Sequence, residues 1–208
     1  MSATVVLARH GRTPWHEPVR YAGSSDIPLD EVGEAQADRL ARWAAAAGVT
    51  ALASSDLLRA RRTAAAVHAL TGLEPVVDAR LRELDFGAAE GLTRAEARAR
   101  FADHAPAYEA DPAASPWPGG ELPAVGAERA TAAVRNLAAD RPGGLVLAVA
   151  HSTIIRLVVC QTLGVPLRDY RRALPRLEPT ALTTLLVRDD GSTGLLGFNV
   201  SPGVAPTS

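Results

Sequence analysis

At 208 residues the chain is long enough for one large domain whose core needs no disulfide or metal staple. It is 47% hydrophobic and 22% charged, the balance of an ordinary globule rather than a disordered or membrane-embedded chain. A formal net charge of −1 excludes a general electrostatic pull toward nucleic acid or anionic membrane.

The first element is an apolar strand, Val5-Val6-Leu7-Ala8, that stops at Arg9-His10-Gly11. No signal sequence precedes it and no apolar run reaches membrane-spanning length, so the expected compartment is the cytoplasm. After a loop rich in Gly, Ser and Pro (11–28), Leu29, Val32, Leu40, Trp43 and Ala47 recur at helical spacing. That helix starts near Asp26 or Asp30 and stops at Gly48. Val49 to Ala53 reads as a short second strand. Ser54, Ser55 and Asp56 then offer N-caps for a helix to about Leu70, stopped by Gly72. Glu74 to Val77 is the candidate third strand, followed by an irregular segment, Leu81 to Phe86, that contains Glu83.

A helix near Thr93 to Phe101 leads into a Pro-rich stretch, 105–123, with Tyr108 and Trp117. Another near Ala124 to Ala139 precedes Leu145-Val146-Leu147-Ala148-Val149-Ala150, an apolar run that ends at His151. Ile154 to Leu163 is apolar nearly all round, hence a buried helix, and it carries the lone Cys160. Thr180 to Val187 and Thr193 to Val200, joined by Asp189-Asp190-Gly191-Ser192, read as a hairpin at the sheet edge. Residues 1–200 are expected to be a single domain, and 201–208 a disordered tail.

Strands alternating with helices predict a three-layer α/β/α sandwich with a mostly parallel sheet and an antiparallel edge. Continuous apolar runs are strands buried on both faces, and in such sheets the functional crevice lies beyond the strands' carboxyl ends. If the strands ending at His10 and His151 are parallel neighbours, two imidazoles meet at one sheet edge. All 22 basic residues are arginine, so an arginine's position has to carry any functional argument.

Four motifs occur in order: Arg9-His10-Gly11-Arg12-Thr13; Ser54-Ser55-Asp56-Leu57-Leu58-Arg59-Ala60 with Thr63-Ala64; Leu81-Arg82-Glu83-Leu84-Asp85-Phe86-Gly87; and the strand ending at His151. Together they resemble the histidine phosphatase superfamily, the clan of phosphoglycerate mutases and acid phosphatases, and imply the phosphoglycerate mutase-like fold. A phosphate monoester carries about −1.5 to −2 charge, and guanidinium groups match its oxygens bidentately at any working pH. The resemblance implies that Arg9 and Arg59 clamp the phosphoryl group and that His10 is the nucleophile, passing through a phosphohistidine. It places His151 beside the phosphoryl group as a protonated or hydrogen-bonding partner. Glu83 would protonate the leaving alkoxide and then activate water, with Asp85 and Glu90 as competitors for that role. Thr13, Gly23 and Ser152 are further candidates for substrate binding.

His16, His68 and His104 are expected to be incidental surface or loop residues. No metal is expected, because no Cys or carboxylate–His cluster accompanies the two histidines at ligand spacing, and no other cofactor is implied. Ser152-Thr153 stand where many relatives have Gly-Gly, His16 where Asn is common, and Leu122 where Ser follows Pro-Gly-Gly-Glu. The stretch 101–123, with Tyr108 and Trp117, is expected to form the lid that selects the substrate.

The leading expectation is therefore a metal-independent phosphomonoesterase acting on a small phosphorylated metabolite, with no nucleic acid or membrane partner. A phosphoglycerate mutase-type phosphotransferase is the first alternative, and the Arg82-Glu83-Leu84-Asp85-Phe86-Gly87 segment counts against it. A non-catalytic phosphate-binding or interaction scaffold is the second. Phosphoprotein substrates and a homo-oligomer through the edge hairpin stay open.

Overall fold

The first strand of the computed structural model, which describes residues 2–203, is β1 (Ala3–Arg9). Alternate residues of β1 enter different apolar layers. Val6 and Ala8 pack with Leu40 and Ala44, whereas Val5 and Leu7 pack with Ile154 and Leu157. A strand covered on both faces has no solvent side, so its sequence shows no polar alternation.

α1 (Glu31–Ala47) begins at Asp30, whose Oδ1 accepts from the Gly33 N–H at 2.8 Å, and ends at Gly48 in the left-handed conformation. β2 (Ala51–Ser54) and α2 (Leu58–Thr71) follow. The start of α2 differs from the expected local cap. Ser55 Oγ accepts from the Leu57 N–H at 3.2 Å, but the Leu58 N–H is taken by Asp26 of the first loop, 32 positions earlier. The helix that carries Arg59 is thus fastened to the loop after β1.

β3 (Pro75–Val77) leads into two short 3-10 turns and α3 (Arg94–Arg100), which Thr93 and Glu96 open with a reciprocal capping box. The Pro-rich stretch is not all loop, since it holds α4 (Ala105–Ala110). Pro106 sits in the first turn of α4, where a missing N–H breaks no helical bond. α5 (Pro123–Ala139), β4 (Leu145–Ala150), α6 (Ser152–Leu163), the single-turn α7 (Tyr170–Ala173), β5 (Leu182–Val187) and β6 (Thr193–Val200) complete the chain. In the expected tail Pro202 and Gly203 form a turn, and residues 204–208 lie outside the described residues.

The sheet order is β3-β2-β4-β1-β5-β6. β1, β2, β3 and β4 run parallel; β5 is antiparallel to β1, and β6 pairs back on β5 as the expected hairpin. α1 and α2 cover one face and α5 and α6 the other, giving the α/β/α sandwich. Among the described residues no helix is long and apolar enough to cross a membrane.

One pairing decides where the chemistry sits. β1 and β4 are parallel neighbours with Arg9 opposite Ala150, and the His10 N–H donates to the Ala150 carbonyl at 3.0 Å. His10 and His151 therefore leave the sheet at the same level. From there the chain runs to α1 on one face and to α6 on the other, which opens a crevice between them.

Candidate active site

Each functional side chain is held by a specific backbone feature. The His10 Nδ1 lies 2.7 Å from the Gly11 carbonyl oxygen. A carbonyl can only accept, so Nδ1 carries the proton and Nε2 keeps its lone pair. The loop that sets this geometry presses onto α1: a Cβ on Gly11 would sit 2.5 Å from the Gly33 carbonyl oxygen, and one on Gly33 would sit 2.0 Å from that of Arg12. Thr63 of α2 accepts from the Gly11 N–H at 3.0 Å. Burial above all, then the charges of Arg59, His151 and Arg9, holds the His10 pKa well below the usual imidazole value. His10 is neutral at physiological pH, as a nitrogen nucleophile must be.

The His151 ring stands 5.1 Å from that of His10, centroid to centroid. Arg59 Nε donates to His151 Nδ1 at 3.2 Å, so the proton of the neutral ring is on Nε2. That Nε2 is buried with no hydrogen-bond partner among the described residues. An unpaired buried donor is costly unless something accepts from it. Burial and then Arg59 lower the His151 pKa well below its ordinary value too. Of the two roles expected for His151, the geometry fits the neutral hydrogen-bond donor, because Arg59 already occupies Nδ1.

Arg59 is completely buried. Its guanidinium also donates to the carbonyls of Ser25 and Gly23, both at 2.8 Å, and of Ala22 at 3.3 Å. Like His151 it is fully buried next to the cavity described below. Arg9 lines the cavity, while Arg59 holds His151 through its Nδ1 and brings a positive charge next to it. Gly23 is part of the same support. Its carbonyl anchors Arg59, and a Cβ there would meet Glu90 Oε1 at 2.3 Å and the Leu84 carbonyl at 2.5 Å.

Arg9 Nη1 donates to the Leu177 carbonyl and Nη2 to His16 Nε2, both at 2.6 Å. Burial, reinforced by Arg156, lowers the Arg9 pKa to about 10, which leaves it charged at neutral pH. His16 was expected to be incidental. Instead it lines the cavity, its ring centroid 5.9 Å from that of His10. A guanidinium has no acceptor, so Nε2 accepts from Arg9, while Nδ1 is enclosed by Thr13, its Oγ1 at 3.0 Å, its N–H at 3.1 Å and its carbonyl oxygen at 3.2 Å. Burial and the Arg9 charge pull the His16 pKa down to about 4. The only sequence signal was its place in the first loop, where relatives carry another polar side chain. His68 and His104 tether loops, to the carbonyls of Leu73 and Pro116.

Glu83 reaches the start of α6. Its Oε2 accepts from the Thr153 N–H at 2.9 Å, and Oε1 accepts from the N–H groups of Ile154 (3.0 Å) and Leu84 (2.9 Å). Helix N-terminal N–H groups lack intrahelical partners and favour an anion, which explains how this carboxylate is held while only 7% exposed. Its competitors are occupied elsewhere. Asp85 closes a turn onto the Gly87 N–H, and Glu90 binds the backbone and hydroxyls of Ser24 and Ser25.

Arg9, His10, His16 and Glu83 line a cavity of about 450 Å³, with His151 buried against His10, and it opens past Thr13, Ser152 and Thr153 to walls of Trp15, Val19, Tyr21 and Phe86. The volume suits a small-molecule ligand. Ser152 lines it, but its hydroxyl is engaged by Arg156 Nη1, a residue the sequence reading did not single out. Among the described residues no three His, Cys, Asp or Glu side chains gather as a metal site. The stretch expected to act as a lid stands outside the cavity lining. No residue of 101–123 lines the cavity, and Tyr108 and Trp117 are buried, stacked with centroids 4.2 Å apart. Their apolar rings gain more from each other and from Tyr21 than from water, so they back the wall rather than form it.

Two neighbouring imidazoles, one with a free lone pair and one with an orphaned N–H, stand beside an arginine and a carboxylate. The family profile described as histidine phosphatase superfamily (branch 1) covers residues 5–200. The chain belongs to the histidine phosphatase superfamily. As a histidine-type phosphatase it is 35% identical over 175 residues to a Cronobacter sakazakii protein named "Probable phosphoglycerate mutase GpmB", across 81% of this chain and 78% of that one. Among solved structures it is similar to "Mycobacterial hydrolase 1" (TM-score 0.87, 31% identity), over 97% of this chain and all of that one. It is also similar to a mycobacterial glucosyl-3-phosphoglycerate phosphatase complexed with VO3 (TM-score 0.85, 31% identity), over 95% and 99% of the two chains.

Proposed function

We propose that the protein is a phosphomonoesterase that hydrolyses a small phosphorylated metabolite through a phosphohistidine on His10. The observation that carries this reading is the His10 tautomer: with Nδ1–H spent on the Gly11 carbonyl, the Nε2 lone pair is the reactive atom at the cavity floor. Nε2 attacks phosphorus as the P–O ester bond breaks. Glu83 takes up a proton as the phosphoryl dianion binds beside it, and the leaving oxygen receives that proton through Oε2, which has one backbone donor against two on Oε1. Charge on the equatorial oxygens is met by Arg9 and by the His151 Nε2–H. Water then attacks the phosphohistidine, gives its proton to Glu83 and releases phosphate as the P–N bond breaks.

The test is trapping of the intermediate. Rapid quench with a 32P-labelled monoester, in the presence of a chelator, is expected to give an acid-labile, alkali-stable phosphoenzyme. His10→Ala is expected to lack it and to lose about 10⁴-fold or more in kcat. Chelator-resistant turnover in His10→Ala would overturn the reading. The relative named as a phosphoglycerate mutase supports a second reading, return of the phosphoryl group to another hydroxyl. Dependence of turnover on a bisphosphorylated primer would favour it.

A further inference from the structure

Arg59 is a fully buried cation that forms no ion pair among the described residues. Its guanidinium meets the carbonyls of Ala22, Gly23 and Ser25 and the ring of His151. A buried charge held by neutral groups depends on an anion close enough to polarise them. The peptide group that joins Gly23 to Ser24 supplies the link, because it has a charged partner at each end. Its carbonyl accepts from Arg59 Nη2 at 2.8 Å, and its N–H donates to Glu90 Oε1 at 2.6 Å. One amide dipole thus lies between a carboxylate and a guanidinium, and hydrogen bonds in such a chain strengthen one another.

Glu90 is itself firmly held. Oε1 also accepts from the Ser24 hydroxyl at 3.0 Å, and Oε2 accepts from the Ser25 N–H at 2.8 Å and from the Ser25 hydroxyl. Burial opposes its charge, but the Ser25 and Ser24 donors outweigh burial and keep the carboxyl below its usual pKa. The backbone sets its reach: the Gly91 N–H donates to the Tyr21 carbonyl and the Tyr21 N–H to that of Leu92, both at 2.9 Å. Glycine at 23 permits the approach, since a Cβ there would stand 2.3 Å from Glu90 Oε1. Against the burial of Arg59, the carboxylates of Glu83, Glu90 and Asp26 favour its charged form. Glu83 is committed to the head of α6 and Asp26 to the Leu58 N–H, whereas Glu90 reaches Arg59 through a shared peptide. We propose that Glu90 is a positioning residue: through the Gly23–Ser24 peptide it holds Arg59, and through Arg59 it holds His151 with the proton on Nε2. This rests on the phosphomonoesterase reading for what that N–H does in turnover, but not for where the proton sits.

The tautomers separate this inference from catalysis. Long-range 1H–15N spectra of the full-length, phosphate-free protein read each ring, with signals assigned from His10→Asn and His151→Asn. In the wild type His151 is expected to carry its proton on Nε2 and His10 on Nδ1. Glu90→Gln removes the charge, and its amide nitrogen cannot accept from the Ser24 or Ser25 donors. His151 is then expected to become a mixture of tautomers while His10 keeps its own, and kcat on p-nitrophenyl phosphate to fall about 10-fold. Gly23→Ala leaves Glu90 in the chain but puts a methyl against its Oε1. It is expected to give the same shift, and it keeps the test open if the Glu90 variant fails to fold. An unchanged His151 pattern in a folded variant would overturn the inference at any turnover. Movement of both rings would overturn it too, because Glu90 would then hold the whole site and not one ring. Absence of a phosphoenzyme in the wild type, with the spectra as expected, would instead strike only the reading beneath it.

Discussion

The floor and the mouth of the cavity are built by different means. At the floor, His10 and His151 continue adjacent parallel strands and Glu83 closes the head of α6, so backbone geometry fixes each group. At the mouth, Trp15, Tyr21, Arg156 and Arg171 come from separate segments, held by side-chain contacts to carbonyls, a hydroxyl and aromatic rings. A floor of this kind tolerates little change in chemistry, whereas a mouth of this kind can change its preference one residue at a time.

The sharpest way to break the comparison is at Glu83. Glu83→Gln is expected to lower kcat by about 10²–10⁴-fold on an alkyl phosphate. The loss is expected to be smaller in the first step with p-nitrophenyl phosphate, whose leaving group needs no acid, so phosphoenzyme should accumulate in a rapid quench. The amide nitrogen cannot accept from the α6 N–H groups, so a melting curve must accompany the kinetics. Equal losses on both substrates with no accumulation would remove Glu83 from proton transfer.

Next in size is Trp117, behind the mouth. Trp117→Ala is expected to cost about 3–5 kcal/mol of stability, read by denaturant titration, because it empties a stacked aromatic site. Unchanged stability with a large rise in KM would return the 101–123 stretch to direct substrate selection.

The smallest effect concerns pH. His10 and His151 are held well below the unfolded value of 6.5, and His16 is at about 4. Below pH 6.5 the unfolded chain binds protons that the folded one refuses. The stability these groups contribute above pH 6.5 is therefore lost as pH falls toward their folded values. Each adds up to about 1.4 kcal/mol per pH unit to that slope. His16→Gln, whose side chain can still accept from Arg9, is expected to flatten the slope by about one histidine's share and change kcat/KM by less than about 3-fold. An unchanged slope between pH 6.5 and 4.5 would mean that His16 is not buried neutral.

Much of the floor was legible in the chain because its determinants are local. An apolar run that ends in Arg-His-Gly, a second that ends in His151, and a glutamate in a short motif state both the fold and the chemistry. The start of α2 was not legible in this way: Ser54, Ser55 and Asp56 stand next to it, yet Asp26 takes the Leu58 N–H. His16 was overlooked for a related reason, since its partners Arg9 and Thr13 meet it only once the loop after β1 has folded back.

By itself, the sequence determined which residues are apolar, which carry charge and in what order the strands and helices come, because periodicity and motif are properties of neighbours along the chain. Tertiary structure alone decided that Arg59 donates to His151, that Tyr108 and Trp117 stack on each other, and that Arg156 engages the Ser152 hydroxyl. Those outcomes depend on which carbonyls, rings and charges arrive from distant segments. Burial then sets a group's partners, its proton and the work left for it to do.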